Sequence, residues 1–124
     1  MTPDELADTI QDYCDSPYHH GRLQGATHHG KRVNESCGDS VWIQLKVEAG
    51  YVMEAYFDGD GCCMSLASAS MLLHAIEGKL LSEVKRLTAT DWMRQFEGVV
   101  TPRKRRCVLL SWEALQLALN SEST

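Results

Sequence analysis

Between residues 51 and 77 the chain switches period across one short turn. Tyr51-Val-Met-Glu-Ala-Tyr-Phe57 reads as a strand and Cys63–Glu77 as a helix, joined by Asp58-Gly59-Asp60-Gly61-Cys62. Glycines at 59 and 61 can take positive φ at no steric cost, so the turn can be sharp. Cys62 then stands at the front of a helix, where unpaired N–H groups and the positive end of the dipole favour a thiolate. A thiolate is the form that binds metal or attacks sulfur. Cys37 in Cys-Gly-Asp and Cys107 after Arg103-Lys104-Arg105-Arg106 occupy comparable settings. Cations, like a helix start, lower the pKa of a thiol. Three such thiols and the carboxylate of Asp39 make a four-ligand metal site if the fold brings them together.

The flanking segments predict the scaffold. Val41–Glu48 alternates apolar and polar from Ile43 onward, and with Ala49-Gly50 and Tyr51–Phe57 it forms a β-hairpin. In the central helix Ser65, Ala67, Ser68, Ala69 and Ser70 let the backbone approach a sheet closely, Met64, Leu72, Leu73 and Ile76 supply bulk, and Gly78 suits the position after its end. Thr2 or Asp4 caps a first helix running to about Cys14, with Pro3 in its first turn. Leu6, Ile10 and Tyr13 mark its apolar face, and Cys14 reads as a small buried side chain closing that face.

Residues 19–38 read as a long loop with a short strand near Ala26–His29. The adjacent pairs His19-His20 and His28-His29 lack the i, i+4 spacing that aims two rings at one ion, so they read as solvated loop residues. His74 reads as a surface or satisfied side chain. Further helices are predicted over Leu80–Leu87, over Asp91–Phe96 after Thr88, and over about Cys107–Leu119, where Leu110, Ala114, Leu117 and Ala118 form the apolar stripe. The pattern is α+β, a small antiparallel sheet with helices packed on one face, in one domain spanning 1–124.

Composition narrows the function. A formal net charge of −5 argues against a nucleic-acid or anionic-membrane partner. No apolar run is long enough to span a bilayer, and the acidic N-terminus has no signal core, which points to the cytoplasm. Five scattered cysteines fit metal or reactive-thiol chemistry better than a disulfide framework.

Together, Asn34-Glu-Ser-Cys37-Gly-Asp39, Gly59-Asp-Gly-Cys62-Cys-Met-Ser65 running into Ala67-Ser-Ala-Ser-Met71, and Arg106-Cys107 leading to Trp112 resemble the NifU/IscU/SufU scaffolds of iron–sulfur cluster assembly. Ser16-Pro17 through Gly21 also resembles that family's N-terminal loop. Like the SufU branch, this chain places its second cysteine, Cys62, directly after Gly-x-Gly, whereas the IscU branch has a cysteine where Asp60 stands. The IscU branch also carries a His where Arg106 stands and a Leu-Pro-Pro-Val-Lys chaperone-docking sequence where this chain reads Val100-Thr-Pro-Arg-Lys104. Two features depart from SufU: the separation of the second and third cysteines is IscU-like, and the basic lead-in reads Lys104-Arg105-Arg106 rather than Arg-x-Lys. Cys63 stands where the family pattern has Ser, as an alternative or additional thiol.

The resemblance implies a site of Cys37, Asp39, Cys62 and Cys107 holding iron, a labile [2Fe–2S] cluster or Zn²⁺. It implies a cysteine desulfurase as sulfur source, Cys107 and also Cys62 as persulfide acceptors, and acceptor apoproteins as recipients. Three functions fit these residues: a non-enzymatic assembly scaffold, a zinc-bound sulfur relay, and a structural zinc module serving as an interaction domain.

Overall fold

The computed structural model describes residues 2–34 and 38–121, with Arg103 as backbone only. Three antiparallel strands, β1 (His28–Asn34), β2 (Asp39–Glu48) and β3 (Tyr51–Asp58), form a sheet in chain order. The β2–β3 hairpin closes over Ala49 and Gly50, both at positive φ (52° and 83°). That is the backbone of the two-residue turns whose twist matches the flanking strands.

Alternation in β2 points Val41, Ile43 and Leu45 to one face, where all three are fully buried. Phe57 and Ala55 of β3 lie opposite Ile43 and Leu45. Helix α5 (Arg105–Leu119) covers this face at β1 and β2, and α2 (Cys63–Ile76) covers β3 and packs on α5. Helix α1 (Pro3–Asp15), capped by the Thr2 hydroxyl, lies on α2. Two short helices, α3 (Leu81–Val84) and α4 (Ala89–Arg94), connect α2 to α5, the latter opened by a reciprocal Thr88–Asp91 capping box. On the other face, Gln44 bonds the N–H of Leu23 (3.0 Å) and its carbonyl (3.5 Å), tying down the segment before β1. Among the described residues no helix is long and apolar enough to cross a membrane.

The small residues of α2 do more than let it approach the sheet, the role their sequence suggests: they also pack it against two helices. Ser65, Ala67, Ser68, Ala69 and Ser70 are all buried, so α2 is enclosed by α1, α5 and β3. Inside, the indole N–H of Trp92 donates to Ser68 Oγ (3.2 Å), and the Ser68 and Ser111 hydroxyls lie 2.8 Å apart, each 3.1 Å from the Val108 carbonyl. This network joins α2, α4 and α5, with the side-chain polar atoms of Ser68, Trp92 and Ser111 all partnered.

The structure corrects five expectations. Residues 28–34, read mostly as loop, form β1. Only His28 and Gly30 of β1 are buried, so this edge strand carries no apolar alternation to reveal it. The helix expected over 80–87 is one turn, and α5 begins at Arg105, extended by a preceding 3₁₀ turn at Pro102–Lys104. Leu117 faces solvent at 45% exposure, while Val108, Ser111 and Leu115 complete the buried side of α5. Cys14 is not a passive apolar group: it is disulfide-bonded to Cys63, with Cα atoms 5.3 Å apart, an ordinary disulfide spacing.

Candidate metal centre

The turn after β3 is zipped to the start of β2. The N–H of Ser40 donates to the Asp60 carbonyl (2.6 Å), and the N–H of Asp60 to Ser40 Oγ (3.3 Å). Contact this close demands glycine. Gly59 sits at φ +150°, and a Cβ there would lie 2.1 Å from the Ser40 carbonyl oxygen. Gly61 does not use positive φ; its role is spatial, since a Cβ would lie 3.2 Å from Asp39 Cγ and 3.1 Å from Ser65 Cβ. The two glycines thus press Cys62 against Asp39, the first residue of β2.

Cys62 is the N-cap of α2, as the sequence predicts. Cys107, third residue of α5, approaches from the other side. Its sulfur is 3.5 Å from Cys62 Sγ and 3.6 Å from Asp39 Oδ2. The ligand atoms of Asp39, Cys62 and Cys107 all lie within 4.8 Å of one another. Asp39 and Cys107 are buried and Cys62 is half-buried, so the pocket is reached past Cys62. Cys37 lies outside the described residues, two positions before Asp39 in the chain.

These donors suit a metal. A tetrahedral ion bound by two thiolates at about 2.3 Å sets the sulfurs about 3.8 Å apart. The observed 3.5 Å needs only a few tenths of an ångström of adjustment. Two soft sulfurs and one carboxylate match zinc or iron in an iron–sulfur setting rather than calcium or magnesium.

Sequence reasoning missed Ser65. Its hydroxyl donates to Asp39 Oδ2 (2.7 Å) and lies 3.6 Å from Cys62 Sγ. The signal was present: Cys62-x-x-Ser65 places Ser65 in the third position after the cap, facing back toward it.

The two thiols titrate in opposite directions. Burial pushes Cys62 up, but the backbone N–H and hydroxyl of Ser65, with the Cys107 thiol, outweigh it and leave Cys62 below the ordinary value. The N–H acts here through its dipole, because no conventional capping hydrogen bond reaches the sulfur. Burial and then the neighbouring Cys62 push Cys107 up to about 11. This overturns the expectation that the basic run would depress Cys107. Lys104, Arg105 and Arg106 are exposed, and their charges are spent on solvent.

A kinetic consequence follows for the metal-free, reduced chain. At pH 8 iodoacetamide should alkylate Cys62 about 10-fold faster than Cys107, after the lower nucleophilicity of the more acidic thiolate is allowed for. Cys107 should catch up only as the pH approaches 11. Equal rates at pH 8 would contradict this electrostatic picture.

Each histidine pair has one packed member, His19 and His28, and one exposed member, His20 and His29, so the solvated reading holds for only half of them. The His19 ring stacks between Tyr18 and Tyr56, with Nδ1 2.9 Å from both the Ala55 carbonyl and Glu77 Oε2. His20 stacks on Phe57, and His28 is buried with Nδ1 2.8 Å from the Thr27 hydroxyl. His74 is satisfied, its Nδ1 2.6 Å from the Tyr13 hydroxyl. Among the described residues no histidine joins the metal-binding group.

An α+β fold that gathers two thiols and a carboxylate at the front of a buried helix offers a group that could hold a metal ion. The matched relatives make the class specific. A model of the NifU-like N terminal domain matches residues 5–122, and the chain belongs to that iron–sulfur cluster scaffold family. It is 35% identical, over 94% of each chain, to the "Iron-sulfur cluster assembly scaffold protein IscU" of Thermotoga maritima. It is 31% identical, over 72% of each chain, to the "Zinc-dependent sulfurtransferase SufU" of Bacillus subtilis. A solved putative scaffold for the SUF system from Fervidobacterium islandicum superposes with a TM-score of 0.78 at 25% identity, covering 91% of this chain and 95% of the other. Both branches noted in the sequence are therefore among its relatives.

Proposed function

We propose that this chain is an assembly scaffold. It accepts sulfur from a cysteine desulfurase and builds a labile [2Fe–2S] cluster, its cargo, on Cys37, Asp39, Cys62 and Cys107 for transfer to acceptor apoproteins. The observation that carries this reading is the convergence of Asp39, Cys62 and Cys107 within 4.8 Å at the front of α2. Cys62 is the more accessible thiol and the better thiolate, which favours it as the first sulfur acceptor. Cys107, 3.5 Å away, is the second. The basic neighbours of Cys107 favour that thiol in the sequence, whereas its burial beside a half-buried Cys62 supports the order proposed here. Asp39 is the hard donor among soft ones, and a weakly matched donor keeps the cargo exchangeable.

A second reading has its own support. The SufU relative is named a zinc-dependent sulfurtransferase, and the same donors suit Zn²⁺. In that reading zinc holds the thiols until the desulfurase displaces one, and the chain relays sulfur without building a cluster.

Anaerobic incubation of the reduced chain with desulfurase, cysteine and ferrous iron separates the two. The scaffold reading expects a visible chromophore that transfers to an acceptor apoprotein, and about 10-fold slower release from Asp39→Ala. Persulfide uptake with tightly retained zinc and no chromophore would replace it with the relay. Neither sulfur uptake nor chromophore would overturn both.

A further inference from the structure

Beside the metal centre lies a second sulfur pair. The Cys14–Cys63 bond joins the last turn of α1 to the first residue of α2, immediately after Cys62. Cys63 is exposed and Cys14 half-buried, so the pair is open to solution from one side. Cys62 and Cys63 line the same cleft of about 360 Å³, with Ile10, Met64 and Lys104. A sulfur atom carried on Cys62 therefore shares a cleft with the sulfur of Cys63, which in turn bonds to Cys14.

We propose that Cys14 and Cys63, as dithiols, reduce the delivered sulfur to sulfide. This step rests on the sulfur-acceptor reading above. Sulfur handed over as a persulfide is formally zero-valent, whereas cluster sulfide is two electrons richer. The Cys63 thiolate attacks the outer sulfur of the Cys62 persulfide. The new S–S bond forms at Cys63, the old one breaks, and Cys62 leaves as a thiolate. Cys14 thiolate then attacks Cys63 Sγ, forming the Cys14–Cys63 disulfide and expelling the outer sulfur as hydrosulfide. Two thiols become one disulfide and the sulfur gains two electrons. The three hydrogens of one persulfide and two thiols end on Cys62 and on H₂S. The disulfide present in the structure is the product of this turnover, and its exposed face admits a dithiol reductant that resets the pair by thiol–disulfide exchange.

A single turnover tests the step. The chain is reduced with a dithiol, desalted anaerobically, loaded with a stoichiometric amount of inorganic polysulfide and desalted again without reductant. Sulfide released over time is measured, and mass mapping locates persulfides and disulfides. The proposal expects about one sulfide per Cys14–Cys63 disulfide formed. Cys14→Ser should cut release at least 10-fold and leave the persulfide on Cys63. Cys63→Ser, at an exposed position that does not threaten folding, should cut it equally and leave the persulfide on Cys62 or Cys107. Undiminished release from both variants would overturn the step while leaving sulfur acceptance intact. Failure of the unsubstituted chain to take up sulfane sulfur would overturn the acceptor reading, and the step with it.

Discussion

Gly30→Ala is expected to destabilise the fold by about 3 kcal/mol, lowering the melting temperature by about 12 °C. Gly30 of β1 is not at positive φ, so alanine meets no backbone conflict of its own. The conflict lies across the interface. A Cβ at this position would sit 2.4 Å from the Ala118 amide nitrogen, 2.6 Å from the Ala114 carbonyl oxygen and 2.8 Å from the Leu117 carbonyl carbon. These are backbone atoms of α5, and no rotamer change relieves them. The helix must lift from the sheet or the strand must bend. Either response loosens the packing of Ala114 and Ala118, both fully buried. Lys31→Ala, at the exposed neighbouring position, serves as the control and should change stability by no more than about 0.5 kcal/mol. Urea melts of the three chains measure both effects, and a Gly30→Ala loss below about 1 kcal/mol would mean that α5 is not held against β1 as described.

Cys107→Ser should lower zinc affinity at least 100-fold, measured by competition with a chromophoric chelator under reducing conditions. Losing an outer-shell partner typically costs 10–100-fold, and loss of a soft ligand costs more. Its sulfur is within 3.6 Å of both Cys62 Sγ and Asp39 Oδ2, so removal leaves one described thiolate and one carboxylate facing the ion. Serine is close to cysteine in size, so the melting temperature should move far less than for Gly30→Ala. Ser65→Ala provides the graded comparison. It removes the 2.7 Å bond that orients Asp39 but no ligand, and about 10-fold of affinity should go with it. Unchanged zinc binding by Cys107→Ser would remove Cys107 from the site.

How much of this was legible varies by element. The β2–β3 hairpin could be read because its alternation and its two-residue turn agree, and Cys62 because a glycine-rich turn before a helix leaves few other places for it. Strand β1 could not, since its identity comes from pairing with β2 along His28↔Leu45 to Asn34↔Asp39, not from its own polar residues. The Cys14–Cys63 bond was equally hidden: 49 residues separate the partners, and only the packing of α1 on α2 brings them together.

Chemical identity along the chain determined which side chains could act here: Cys37, Asp39, Cys62 and Cys107 offer three thiols and a carboxylate, which make one site only if the fold brings them together. What each thiol does was decided only in three dimensions. Acidity depends on solvent and on neighbours distant in sequence. Cys62, at a helix front beside Ser65, is drawn toward thiolate, whereas Cys107 is buried despite its basic lead-in and is held as a thiol to about pH 11. Local charge can be counted from a sequence, but desolvation cannot, because it is set by the elements that close over the group.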